Sequence, residues 1–288
     1  MAADLATGGY AALRVEIHQA IAWVTIDHPP INLLDATLRE EIDRLSREIA
    51  SDDRVRVIVF QSANPDYFIA HADVNLFVGR SPVAPARSPD LNWIHSLGER
   101  LRTLPKVTIA KVEGRARGGG SEFTLNLDMR FAARGRAIFS QPEVALGIIP
   151  GGGATQRLPA LMGRGRTLEA ILGCDDFDAD LAERYGWINR ALAADDISAF
   201  VQRLATRIAS FPETAIAQAK LAIAAAQPSP VPGLLEEAYR FTQSLSSPVA
   251  SEVMGAFLRA GGQTREYELN LAARLGELAA DEGSQSQP

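Results

Sequence analysis

Two glutamates and two glycine triplets carry the chemistry available to this sequence. Gly118-Gly119-Gly120 runs into Ser121-Glu122, Glu143 follows 21 positions later in Gln141-Pro142-Glu143, and Gly151-Gly152-Gly153 closes the stretch. Two carboxylates brought to one site divide acid and base roles, because their mutual repulsion separates their pKa values. The plainer reading is a pair of surface glutamates. The neighbours argue against it: Glu122 lies between Ser121 and Phe123, and Glu143 between Pro142 and the apolar Val144-Ala145-Leu146. A carboxyl in apolar surroundings has its pKa raised towards acid–base use. Triple glycine after an apolar run marks backbone that approaches something closely or takes positive φ. A helix starting near Gly120 leaves its first N–H groups without intrahelical partners, and such donors suit a developing oxyanion.

Other chemistries lack their motifs. A nucleophile elbow needs G-x-S-x-G, and Gly119-Gly120-Ser121-Glu122-Phe123 lacks the last glycine. No Gly-Lys pair exists for a phosphate loop, and no H-E-x-x-H or C-x-x-C supports a metal. No dinucleotide fingerprint follows the first strand. The net charge of −6 counts against nucleic acid, whose partners are basic. Only Lys106, Lys111 and Lys220 are lysines, so phosphate contacts would fall mostly to arginine. The single Cys174 fits a reducing compartment. Met1 to Gly9 shows no signal-peptide pattern, and no run approaches the roughly 18 apolar residues of a membrane span. The expected location is cytoplasmic, with no membrane partner.

The elements that must position the glutamates follow from periodicity. Leu13–His18 and Ile21–Ile26 read as strands joined by a tight hairpin at Gln19-Ala20. Asp35 is placed to cap a helix reaching about Ser51. Val55–Phe60 and Val107–Val112 read as buried strands, and Leu91–Leu104 as an amphipathic helix. Between them, Tyr67–Phe77 turns from extended to helical near Asp73, and Arg80–Pro89 reads as a flexible loop. Met129–Ala133 and Ala137–Ser140 read as short strands about an Arg134-Gly135-Arg136 turn. Helices are expected at 154–162, 166–172, 178–185, 196–210, 212–226, 233–260 and 264–280, with a strand at 187–191 and a disordered tail from Asp281. Strands alternating with helices to about residue 191, then helices alone, make an α/β core with a helical extension. The expected division is residues 1–195, holding the site, and 196–288.

Taken together these pieces resemble the crotonase superfamily, the enoyl-CoA hydratase/isomerase family. The resemblance rests on YFIAHAD (Tyr67–Asp73), KVTIAKVEGRARGGGSEFTLNLD (Lys106–Asp128) and FSQPEVALGIIPGGGATQRLP (Phe139–Pro159), in this order and spacing. It covers roughly residues 12–260. It implies a spiral of ββα units, a helical C-terminal region that drives trimerisation, and a homotrimer or dimer of trimers. It also implies an acyl-CoA substrate of fatty-acid metabolism, with no separate cofactor because coenzyme A is part of the substrate. By position, the backbone N–H groups of Ala72 and Gly119 would form the oxyanion hole, Glu122 and Glu143 would be catalytic, and Gly151 would hold the water. Ala70, His71, Asp73, Gly118 and Pro142 would line the substrate. Retaining both glutamates favours reversible syn hydration of a 2-enoyl-CoA. The alternatives are an isomerase, a thioester hydrolase, decarboxylase or dehalogenase on the same scaffold, and a non-catalytic RNA-binding relative.

Three positions depart from the family pattern. His71 stands where glycine is usual, and either narrows the channel and titrates or is hydrogen-bonded within its loop. Asn75 stands where many members have a lysine near the CoA phosphates. The segment from Asp128 to Glu143 is one residue longer, which the Arg134-Gly135-Arg136 turn would absorb. Asp128 is expected to tie a helix end and Arg157 to make a structural ion pair. Trp23, Trp93 and Trp187 are expected in core or interface, and His95 on a solvent-facing helix side.

Overall fold

Each long apolar run joins one six-stranded sheet, and the short strand after it crosses to a second sheet of four. A computed structural model of the chain describes residues 9–79 and 86–285. Strands β1 (Leu13–His18) and β2 (Ile21–Ile26) pair antiparallel. Their two-residue turn has Gln19 and Ala20 both at positive φ, 52° and 62°, the twist that a tight hairpin requires. Helix α1 (Ala36–Ala50) is capped by Asp35, whose side chain accepts from the Leu38 N–H at 3.0 Å.

Three ββα units follow. The first is β3 (Val57–Ser62), β4 (Tyr67–Ile69) and α2 (Trp93–Thr103); the second is β5 (Val107–Val112), β6 (Arg115–Arg117) and α3 (Gly119–Leu125). The third is β7 (Met129–Ala133), β8 (Ile138–Ser140) and α4 (Ala154–Gly173). Then come β9 (Phe177–Asp178), α5 (Ala179–Tyr185) and β10 (Arg190–Leu192). The larger sheet runs β1-β2-β3-β5-β7-β10, parallel from β2 onward, and the smaller runs β4-β6-β8-β9. Strand β5 is buried at every position because both its faces are covered. On one side Val57, Val59, Ile109 and Phe131 pack against Ile197, Val201 and Ala205 of α6 (Ile197–Ala209). On the other, Ile58, Phe60 and Ala110 join the core shared with the smaller sheet. Each such buried Val or Ile contributes roughly 1.5–3 kcal/mol, so a polar residue at Ile109 would open the seam between sheet and helix.

The remaining helices are α7 (Glu213–Ala224), α8 (Val231–Leu245), α9 (Pro248–Arg259), α10 (Arg265–Glu268) and α11 (Leu271–Gln285). The helix expected over 233–260 is thus two, because Pro248 starts a new one after Ser246-Ser247. The helix expected over 264–280 is likewise two. The tail expected to be disordered from Asp281 instead continues α11 to Gln285. Gly163, at φ 80° and ψ 161°, breaks α4 between the two helices expected there. Of the expected Arg80–Pro89 loop, residues 80–85 lie outside the described residues. No helix among the described residues is long and apolar enough to cross a membrane.

Candidate active site

The glycine triplet before Glu122 has a separate reason at each position. Gly118 takes φ 47° and ψ −125°, which favours glycine. A Cβ on Gly119 would lie 3.3 Å from the Ala72 nitrogen. A Cβ on Gly120 would lie 2.2 Å from the Ile69 carbonyl oxygen, so α3 starts hard against β4. This brings two backbone N–H groups side by side. Gly119 is the first residue of α3, and its N–H has no intrahelical acceptor. Ala72 forms a single parallel bridge with Leu34: Leu34 N–H donates to the His71 carbonyl, and Asp73 N–H donates to the Leu34 carbonyl. That ladder leaves the Ala72 N–H pointing away from Leu34, and Ala72 and Gly119 both line one cavity.

Glu122 lies in the first turn of α3 and is 5% exposed. Its Oε1 accepts from Gly152 N–H at 2.7 Å and Ala154 N–H at 3.1 Å, at the start of α4. Burial, then the Glu237 carboxylate, pushes Glu122 up to about 8, against the pull of these amides. Glu143 opens a 3₁₀ turn, Glu143–Leu146, and its Oε2 has no hydrogen-bond partner among the described residues. Its Oε1 hangs over the start of α3, 2.7 Å from where a Cβ on Gly118 would be. Burial, then the charge of Glu122, holds Glu143 well above the usual carboxylate range. The longer Asp128–Glu143 segment turns at Arg134-Gly135-Arg136, where Gly135 has φ 72° and open space beside it.

Both carboxylates open on one cavity of about 420 Å³. Its walls are mainly apolar, with Leu34, Phe77, Trp93, Phe241, Met254 and Phe257 among them. Of the residues proposed from the sequence, His71, Ala72, Gly119, Glu122, Pro142, Glu143 and Gly151 line it. Ala70, Asp73 and Gly118 do not: Ala70 is fully buried behind, Asp73 caps the 3₁₀ turn Val74–Leu76, and Gly118 lies beneath Glu143. The shortest amide bond to Glu122 comes from Gly152, the Gly151 backbone also pulls on that carboxylate, and a Cβ on Gly151 would lie 2.7 Å from the Phe241 ring. Asn75 is exposed and, among the described residues, its hydrogen bonds go to Asp73.

His95 is not solvent-facing: it is 1% exposed, and its Nε2 lies 2.9 Å from Glu237 Oε1. The partner comes from α8, 142 positions away, which no helical periodicity reveals. Glu237 also accepts from Gly153 N–H at 2.7 Å, Thr155 N–H at 3.1 Å and the Thr155 hydroxyl. Asp128 ties Thr108 N–H at 2.8 Å and Lys220 at 2.6 Å, and Arg157 pairs with Glu99 at 2.9 Å, both in the structural roles expected. Trp187 is buried in the core, whereas Trp93 is 45% exposed at the cavity edge under Arg39. The cavity wall from α8 and α9 was not legible in the sequence, since no motif marks Phe241, Met254 or Phe257.

A two-sheet ββα spiral with an amide cradle facing paired glutamates defines the class. Residues 16–261 match the enoyl-CoA hydratase/isomerase family, and the chain belongs to it. It is 31% identical over 240 residues to the short-chain-enoyl-CoA hydratase of Clostridium acetobutylicum, covering 83% of this chain and 91% of that protein. It is 32% identical over 218 residues to the crotonyl-CoA hydratase of Syntrophomonas wolfei, covering 74% and 81%. The crystal structure of a candidate enoyl-CoA hydratase from Streptomyces avermitilis superposes with a TM-score of 0.86 at 39% identity, covering 94% of this chain and 100% of that one.

Proposed function

We propose that this enzyme adds water reversibly across the C2=C3 bond of a 2-enoyl-CoA thioester. The observation that carries the reading is the pair of buried glutamates, Glu122 and Glu143, without a cation partner among the described residues and opening on one cavity beside Ala72 and Gly119. The thioester oxygen would accept from those two N–H groups, which gain strength as it becomes an enolate; such a donor is worth about 2.7–4 kcal/mol. Glu122, its anion supported by Gly152 and Ala154, takes a proton from water as the oxygen bonds to C3. Glu143, whose Oε2 has no hydrogen-bond partner among the described residues, supplies the proton to C2. A proton returning from Glu122 to Glu143 resets the pair. The step moves no electrons between oxidation states, so it calls for no cofactor beyond the CoA of the substrate.

The mainly apolar walls fit a fatty acyl group. Helix α7 has no buried residue, with Leu221 60% and Ile223 70% exposed, which supports a homotrimer or dimer of trimers. The buried free Cys174 agrees with a cytoplasmic enzyme. Incubation with a panel of acyl-CoA thioesters, read by product mass, tests the reaction. A 2-enoyl-CoA should gain one water. Unchanged mass with a migrated double bond would instead make it an isomerase, and loss of the acyl group a hydrolase.

A further inference from the structure

The loop that presents the Ala72 N–H is held from the far end of the chain. His71 is 5% exposed, and its ring spans two acceptors. Nδ1 lies 2.7 Å from the Ala72 carbonyl oxygen, and Nε2 lies 3.1 Å from Glu268 Oε1 on α10. A carbonyl oxygen only accepts, so Nδ1 carries a proton; a carboxylate facing Nε2 then calls for a second one there. Glu268 is fully buried, and its Oε1 also accepts from Gln263 N–H at 2.9 Å. Gln263 itself reaches the same loop, accepting from Val74 N–H at 2.6 Å and donating to Asp73 at 3.0 Å.

We propose that His71, as a doubly donating imidazolium bridging the Ala72 carbonyl and Glu268, is a positioning residue that aims the Ala72 N–H into the cavity. The inference rests on the enolate-stabilising role proposed above for that N–H. The peptide plane carrying it lies between His71 and Ala72, so its direction is set by the backbone torsions that this bridge restrains. Leu34 holds the loop from one side, and Glu268 and Gln263 hold it from the other. The charged groups facing His71 are Glu268 and, from β6, Arg117, which is itself paired with Asp176 at 2.6 Å. Burial works against the imidazolium, but Glu268 and the Ala72 carbonyl together outweigh it and hold His71 above the ordinary histidine range. The His71–Glu268 pair is neutral overall, so it acts by orientation and not as a net charge on the enolate.

The test separates this role from the hydration reading. Acetoacetyl-CoA ionises to a thioester enolate with its own ultraviolet absorption, and it probes an oxyanion hole whatever reaction follows. The wild-type protein should bind it as the enolate. His71→Ala should weaken that binding about tenfold while leaving free CoA affinity unchanged. Glu268→Gln, nearly isosteric, should act in the same direction, and His71→Gln, which keeps one donor, should recover part. Nitrogen-15 spectra, assigned among the four histidines by the His71 variants, should show both His71 ring nitrogens still protonated at a pH where an ordinary exposed histidine has lost its proton. Unchanged enolate binding in both His71→Ala and Glu268→Gln overturns the proposal. So does equal loss of CoA and acetoacetyl-CoA binding, or a neutral His71 ring. If the wild-type protein binds the probe without the enolate absorption, the inference falls with the oxyanion hole. If it binds the enolate yet hydrates no enoyl-CoA, only the hydration reading fails.

Discussion

Two pairs of buried side chains flank the same cavity and are treated oppositely. Glu268 is paired with His71 and accepts a backbone N–H, and although burial alone would raise it, these partners hold it below the usual carboxylate range. Glu122 and Glu143 are buried almost as deeply, have no cation partner among the described residues, and each faces like charge, Glu237 for Glu122 and Glu122 for Glu143, so both are pushed up. Burial is common to all three; partners decide the direction. A carboxylate given a cation becomes structural, while one denied a cation is left ready to exchange a proton.

The strongest way to break the contrast is to neutralise one member of the proposed acid–base pair. Glu143→Gln and Glu122→Gln should each lower kcat for 2-enoyl-CoA hydration by about 10²–10⁴-fold, measured at saturating substrate. Full activity in either variant would remove that glutamate from the mechanism.

A second effect reads stability. A glutamate whose pKa rises on folding keeps a proton that the unfolded chain has already released. Its native state therefore loses stability as pH climbs from the ordinary range towards about 8. Glu122→Gln removes that penalty. The variant should melt about 5 °C higher than wild type above pH about 9, and hardly differently below the ordinary glutamate range. A variant that melts lower at alkaline pH would mean that the carboxylate is stabilised where it lies. For Glu268 the sign reverses: its lowered pKa contributes stability above the ordinary range that is lost as pH falls through the folded value.

The smallest effect sharpens the comparison. Glu237 adds to the upward push on both Glu122 and Glu143. Glu237→Gln keeps an acceptor for Gly153 but removes the charge, so the acid limb of the kcat/KM profile should move to lower pH. A shift to higher pH would contradict the role given to its charge.

Much of the frame was legible because it is local. The β-branched runs at 13–18, 21–26 and 107–112, the Asp35 cap and the glycine triplet before Glu122 each state their requirement within a few residues. So did both glutamates, through their apolar neighbours and their place in the family pattern. What the sequence hid depends on residues far apart. His95 looks outward on helical spacing until Glu237 arrives from α8. The His71 bridge needs Glu268, 197 positions away, and the loop clamp needs Gln263, 189 positions from Val74. The α8 and α9 wall of the cavity carries no motif, only apolar residues that would serve any core.

In the proposed reaction Glu122 works ionised and Glu143 protonated, both far from their ordinary ranges. The most direct measurement is kcat/KM of the wild-type protein on a 2-enoyl-CoA across pH. The rate should rise as Glu122 loses its proton near about 8 and fall again as Glu143 follows. A profile already level from about pH 6 upward, as ordinary carboxylates would give, would contradict it.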